Sequence, residues 1–166
     1  MTRIVLAIFI GFYLIIPDFA FSNDIVTFDG CEYTVTFPIK PKLIPFRVNG
    51  TDTIMAMTSS KDGMPILRAE CQPIKEGAIV TPELIMSSLE EQAHSVGLRN
   101  VQVSIQETEI GLVGTFTGKK NAGGYEMAQM GKMYVGRHSI LNLLSTELLS
   151  RFPSKKTNLF FGSVRR

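Results

Sequence analysis

Tryptophan is absent from the sequence, and cysteine and histidine occur only twice each. Each scarcity removes a class of chemistry. Without tryptophan there is no favoured platform for a sugar ring, so Glu107 and Glu109, two residues apart on one strand face, read as solvated acids. They are not the facing carboxylates of a glycosidase. With so few thiols and imidazoles, and no C-x-x-C, H-x-x-x-H or EF-hand spacing, a metal site is not expected and no cofactor is implied. A G-x-S-x-G elbow and a phosphate-binding glycine loop are also missing. His138 precedes Ser139, but neighbours on a strand point to opposite faces and cannot act as base and nucleophile. His94 follows Glu90 and Glu91 at helical spacing, which reads as a polar face with a cation near a helix C-terminus. No catalytic residue is assigned. An enzyme acting on an envelope substrate would have only His94 and His138 as histidine candidates for acid and base.

Long apolar runs are scarce too. One spans residues 4–16, behind Arg3 and ahead of Ala20 and Ser22 at A-x-S spacing. This predicts a secretory signal peptide over residues 1–22, cut after Ser22. Thirteen residues at about 1.5 Å each cover about 20 Å, short of a hydrocarbon core of about 30 Å. Cys31 lies too far downstream, behind Phe28 and Asp29, to be a lipidated cysteine. Residues 23–166 then form a single domain with one core. Outside the cytosol, two cysteines read first as one disulfide. Register supports this reading. Cys31 shares a strand face with Tyr33, Val35 and Phe37 over residues 31–37, and Cys71 shares one with Leu67 and Ala69. A bond from Cys31 to Cys71 closes a loop of about 40 residues and stabilises by about 4 kcal/mol in the chain-entropy account.

Glycine and proline punctuate the remaining pattern. "PIKPK" ends the first strand, because proline lacks a ladder donor. Three strands follow in "KLIPFRV", "TIMAMTSS" and "MPILRAECQPI", with turns at Asn49–Gly50 and Asp62–Gly63. Asn49 also opens a formal glycosylation sequon. A helix is predicted over 81–96, with Thr81 as cap, Pro82 at the first position, Gly97 at the exit and an apolar stripe of Ile85, Leu89, Ala93 and Val96. "VQVSIQ" and "LVGTFTG" are strands, "KKNAGG" a loop or hairpin tip, and the runs about Gly136 and Arg137 a hairpin. The second of these runs also fits a helix. Ser154 caps a final short helix carrying Leu159, Phe160 and Val164. The predicted class is α+β, a mostly antiparallel sheet of six to eight strands flanked by two helices.

This order of elements, with its "YTVTFP" strand, one well-formed helix and a closing "FFGSV", resembles the PsbP-like fold. That fold is shared by photosystem extrinsic proteins, Ran-binding Mog-type proteins and many bacterial envelope proteins. The resemblance implies a binding or scaffolding role in the bacterial envelope, periplasmic or secreted, with a protein partner and no chemistry of its own. Charge is uneven along the chain. Residues 51–110 carry nine acids against four bases, a balance of −5, and residues 111–166 nine bases against two acids, +7. Lys119, Lys120, Arg137, Lys155 and Lys156 are therefore a candidate surface for an acidic partner or anionic lipid. The export signal and the thin aromatic content of this segment argue against nucleic acid.

Overall fold

The computed structural model describes residues 23–48, 51–59 and 65–166. The expected signal peptide, the turns at Asn49–Gly50 and Asp62–Gly63 and the Asn49 sequon lie outside them. The fold is α+β. Two short strands, β1 (Asp24–Thr27) and β2 (Thr34–Phe37), form an antiparallel ribbon. Seven more, β3 (Lys42–Val48), β4 (Thr51–Met57), β5 (Ile66–Pro73), β6 (Arg99–Thr108), β7 (Gly111–Ala122), β8 (Tyr125–Val135) and β9 (Ser139–Leu148), build one antiparallel sheet in the order β3-β4-β5-β9-β8-β7-β6. The predicted β3-β4-β5 meander is present. The run 139–148, ambiguous between strand and helix, is a strand, because its alternating buried and half-buried residues serve two sheet faces at once.

Helix α1 (Pro82–Ser95) lies across β6 and β7. Thr81 Oγ1 accepts the Leu84 amide and Pro82 opens the first turn. Ile85, Leu89 and Ala93 are buried against Phe116 and Val135. Gly114 makes this contact possible, since a Cβ there would lie 2.6 Å from Leu89 Cδ1. Val96 departs from the expected stripe and is 39% exposed. The helix ends at Ser95, Gly97 turns the chain with a φ of 73°, and Leu98 takes the buried position, its amide donating to Ala93 O.

The opposite face of the sheet carries Leu67, Ala69, Cys71, Tyr134, Leu141 and Leu143, covered by the ribbon and by helix α2 (Lys155–Phe161). The sheet is thus flanked on both faces. Two features depart from the sequence reading. Strand β1 was not expected, because four residues carry too little pattern to mark it. The strand expected over 31–37 starts only at Thr34: the Cys31 amide closes a turn onto Phe28 O, and Gly30 sits at a φ of 72°. "KKNAGG" is a hairpin tip with longer arms than expected, β7 pairing through Ala122 and turning at Gly123 and Gly124, both at positive φ.

Candidate functional site

The two ends of the sheet differ in chemistry. At one end the chain is tied to itself. Cys31 and Cys71 form a disulfide with Cα atoms 6.1 Å apart, joining the turn before β2 to the main sheet. Glu32, beside that bond, collects donors: its Oε2 accepts the His138 amide at 2.7 Å and the Ser139 amide at 3.2 Å, and its Oε1 accepts Arg166 Nη2 at 2.6 Å. Burial pushes the carboxyl upward, but these donors outweigh it and hold Glu32 below the usual carboxylate value. Ser139 Oγ accepts the Glu32 amide at 2.9 Å, and Tyr33 Oη donates to Ile110 O at 2.9 Å. A Cβ on Gly136 would lie 2.2 Å from Glu32 Oε2, so the β8–β9 turn must pass bare. Arg137, Arg166 and Glu107 line a cavity of about 310 Å³ here.

At the other end the charges are basic. Buried Glu147 on β9 accepts the Ser154 amide at 3.0 Å, Ser154 Oγ accepts the Thr157 amide, and Ser145 Oγ meets Thr157 Oγ1 at 2.8 Å. At the far end of α2, Tyr134 Oη donates to Phe161 O at 3.0 Å, and burial raises that phenol to about 12. These contacts run α2 antiparallel to β9 and fix Lys155 and Lys156 at the end where the β7–β8 tip lies. The 3-10 turn Leu149–Arg151 and Phe152 border a cavity of about 210 Å³ with Lys119 and Ala128, so Arg151 belongs to the same end. Arg99 pairs with Lys119 on the ladder. Lys132, half-buried with its Nζ 5.6 Å from the Phe161 ring centroid, lies beneath α2, and burial lowers its ammonium pKa.

Four of the five sequence-predicted basic residues, Lys119, Lys120, Lys155 and Lys156, therefore share one end of the sheet. Arg137 does not. It sits in the β8–β9 turn beyond Val135, which pairs with Leu112, whereas Lys119 pairs with Ala128. Seven ladder positions at about 3.3 Å each separate them by about 23 Å. Arg99 and Arg151 join the cluster without having been singled out, because strand pairing and the turn after β9 bring them there. Their acidic company is Glu126, opposite Asn121 near the tip, Glu147, engaged with α2, and Glu90, which shares a depression with Arg99 on the α1 side.

Beside α2 the surface is also apolar. Ile25, 69% exposed, and Leu159, 46% exposed, line a cavity of about 420 Å³ together with Pro38 and Arg165. Arg165 is held there, its Nη1 donating to Gly162 O at 3.0 Å and Val164 O at 2.7 Å. Phe160 and Val164 of the expected final segment are buried, whereas Leu159 faces out. The sequence signal was available in the spacing of Lys155 and Leu159, four apart and so on one helical face.

The histidines sit in the open. His94 is exposed on α1 in a surface depression with Glu90 and Arg99, and His138 is exposed in the β8–β9 turn. Ser139 does begin β9, but its hydroxyl is committed to Glu32. Among the described residues, no group of His, Cys, Asp and Glu is arranged to hold a metal ion, and no helix is long and apolar enough to cross a membrane.

No protein-family model matches the chain, and no curated protein matches it in sequence. Solved structures do. The chain is similar to LpqN of Mycobacterium tuberculosis, described as involved in cell envelope biogenesis, with a TM-score of 0.53 at 12% identity, over 80% of this chain and 81% of that one. It is also similar to cyanobacterial PsbP from Synechocystis, with a TM-score of 0.55 at 11% identity, over 80% and 85% of the two chains. The fold is PsbP-like, as the sequence pattern indicated. The disulfide is compatible with export.

Proposed function

We propose that this chain is an exported binding or scaffolding domain of the bacterial envelope, acting through its surface and a protein or lipid partner, with residues 1–22 as its export signal. The observation that carries this reading is the Cys31–Cys71 disulfide. It joins two layers of the core, and structural bonds of this kind persist in oxidising compartments. The shared fold with LpqN adds an envelope protein of the same architecture. The side chains most suited to chemistry are engaged in structure: Ser139 and Glu32 bind each other's backbone, and Tyr33 and Tyr134 donate to carbonyls. What the molecule offers outward is charge and a small apolar patch.

The test is made on protein recovered from the envelope of the native host. Mass spectrometry without reduction is expected to find Cys31 linked to Cys71 and a mature N-terminus at Asn23. Affinity capture from the same envelope fraction is expected to retain a partner reproducibly. Retention of the protein in the cytosol with two free thiols would overturn the reading.

A further inference from the structure

We propose that the α2 face seats the domain on an anionic lipid surface, with Leu159 and Ile25 entering the headgroup layer and Lys155, Lys156 and Arg165 against lipid phosphates. This rests on the envelope reading above and names the partner for it. Three observations carry it. Leu159 and Ile25 are exposed apolar side chains that line one groove of about 420 Å³. Cations flank that groove at both ends of the helix: Lys155 and Lys156 at its start, and Arg165, held by two carbonyls, at its end. Beyond the helix start lies Lys119, beside the turn of Leu149 and Phe152. The acids on this side are half-buried Asp24, Glu126 near the tip, Glu147, which is 2% exposed and accepts the Ser154 amide, and, around a separate cavity beside Pro45, exposed Asp29 and Asp52, the latter paired with Arg47. The exposed acids Glu83, Glu90 and Glu91 are on α1, across the sheet.

This arrangement fits a membrane better than a protein. A stable protein interface buries about 800 Å² on each partner around a packed, commonly aromatic, centre. Here Phe160 and Phe161 both turn inward, leaving two aliphatic side chains among cations. Shallow apolar insertion combined with several basic residues is what an anionic bilayer surface takes. Pairing of a strand onto edge β3 is a poorer alternative, since Pro45 removes a donor from that strand.

The experiment is co-sedimentation of protein recovered from the envelope, and of its variants, with vesicles of phosphatidylglycerol and phosphatidylcholine or of phosphatidylcholine alone, at low and near-physiological salt. Binding is expected on the anionic vesicles only, weakened by salt. Lys155→Gln with Lys156→Gln is expected to lower the affinity about tenfold or more. Ile25→Ser with Leu159→Ser is expected to weaken it while leaving the salt dependence in place. Any apolar anchoring by residues 4–16 would act equally on neutral vesicles, so the difference between the two vesicle types isolates the α2 face. Equal binding to both vesicle types, no binding at low salt, or indifference to both variant pairs would overturn the proposal. So would variants that lose capture of a delipidated envelope protein without changing vesicle binding. In that last case, or where vesicles fail but envelope capture succeeds, the envelope reading stands and only the lipid partner falls.

Discussion

The end of the sheet around Glu32 and the end around α2 use charge in opposite ways. At the first, Glu32 is 16% exposed in its side chain and takes donors from the β8–β9 turn and from Arg166, while the neighbouring disulfide fixes the segment that carries it. At the second, Lys119, Lys155 and their neighbours cover a surface whose one deeply buried acid, Glu147, holds the helix start in place. Charge at the first end is consumed in tying the ribbon and the last residues to the main sheet. At the second end Lys119 and Lys155 lie at the exposed surface. The difference locates where mutations should damage the fold and where they should damage only binding.

The largest break in this comparison is the disulfide. Cys31→Ser with Cys71→Ser should lower stability by about 4 kcal/mol, the chain-entropy value for a 40-residue loop. Urea denaturation of the variant against the oxidised protein measures it. A loss near zero would mean that the surrounding contacts of Tyr33 and Glu32 already close this loop. Next comes the α1 layer, which belongs to neither end. Leu89→Ala, at a side chain 1% exposed and packed beneath α1, should cost about 3 kcal/mol as a large-to-small change in a packed core. A loss below about 0.5 kcal/mol in the same denaturation would show that α1 is not firmly seated.

Glu32→Gln sharpens the comparison by removing the charge that the first end consumes. It should cost about 1 kcal/mol near neutral pH, because the His138 and Ser139 amides and Arg166 lose a charged acceptor at a partly exposed site. The pH dependence has a definite sign. The folded carboxyl titrates below its ordinary value of 4.5, so its stabilisation is present above that pH and is lost as pH falls through the folded value. Thermal melts of the wild-type protein should therefore decline more steeply below about pH 4.5 than those of Glu32→Gln. Parallel declines would remove Glu32 as a contributor.

Much of this fold is visible in sequence because local chemistry and tertiary packing agree. Thr81, Pro82 and Gly97 mark α1 by capping alone, Ser154 marks α2, and alternation marks β6 and β7, while β9 reads as strand or helix until its pairing decides it. The face-sharing of Cys31 and Cys71 gave their pairing even though Cys31 lies in a turn and not in a strand. Val96 was misplaced because periodicity continues on paper past the point where Gly97 reverses the chain. Strand β1 was missed because it exists by pairing with β2. The site was legible only in part. Uneven charge pointed to the basic segment, but which bases meet depends on strand register, and register carried Arg137 to the far end while bringing in Arg99 and Arg151. Glu32 gave no signal, since its donors come from residues more than a hundred positions away.

The smallest expected effect is the most discriminating between the two ends. Lys155→Gln and Leu159→Ser should each change stability by less than about 0.5 kcal/mol, because surface ion pairs and exposed aliphatic side chains contribute little to folding. Leu159 is 46% exposed, and Lys155 stands outward on the same helical face. Their neighbour Phe160 is fully buried, 4.8 Å from the Phe37 ring centroid, and Phe160→Ala should cost several kcal/mol by the same measurement. Adjacent residues on one short helix thus divide between a face that holds the fold and a face that does not. If Leu159→Ser cost more than about 1 kcal/mol, its side chain would be part of the core and unavailable to a partner. Near-silence in stability together with a loss of vesicle binding would be the signature of a surface retained for contact.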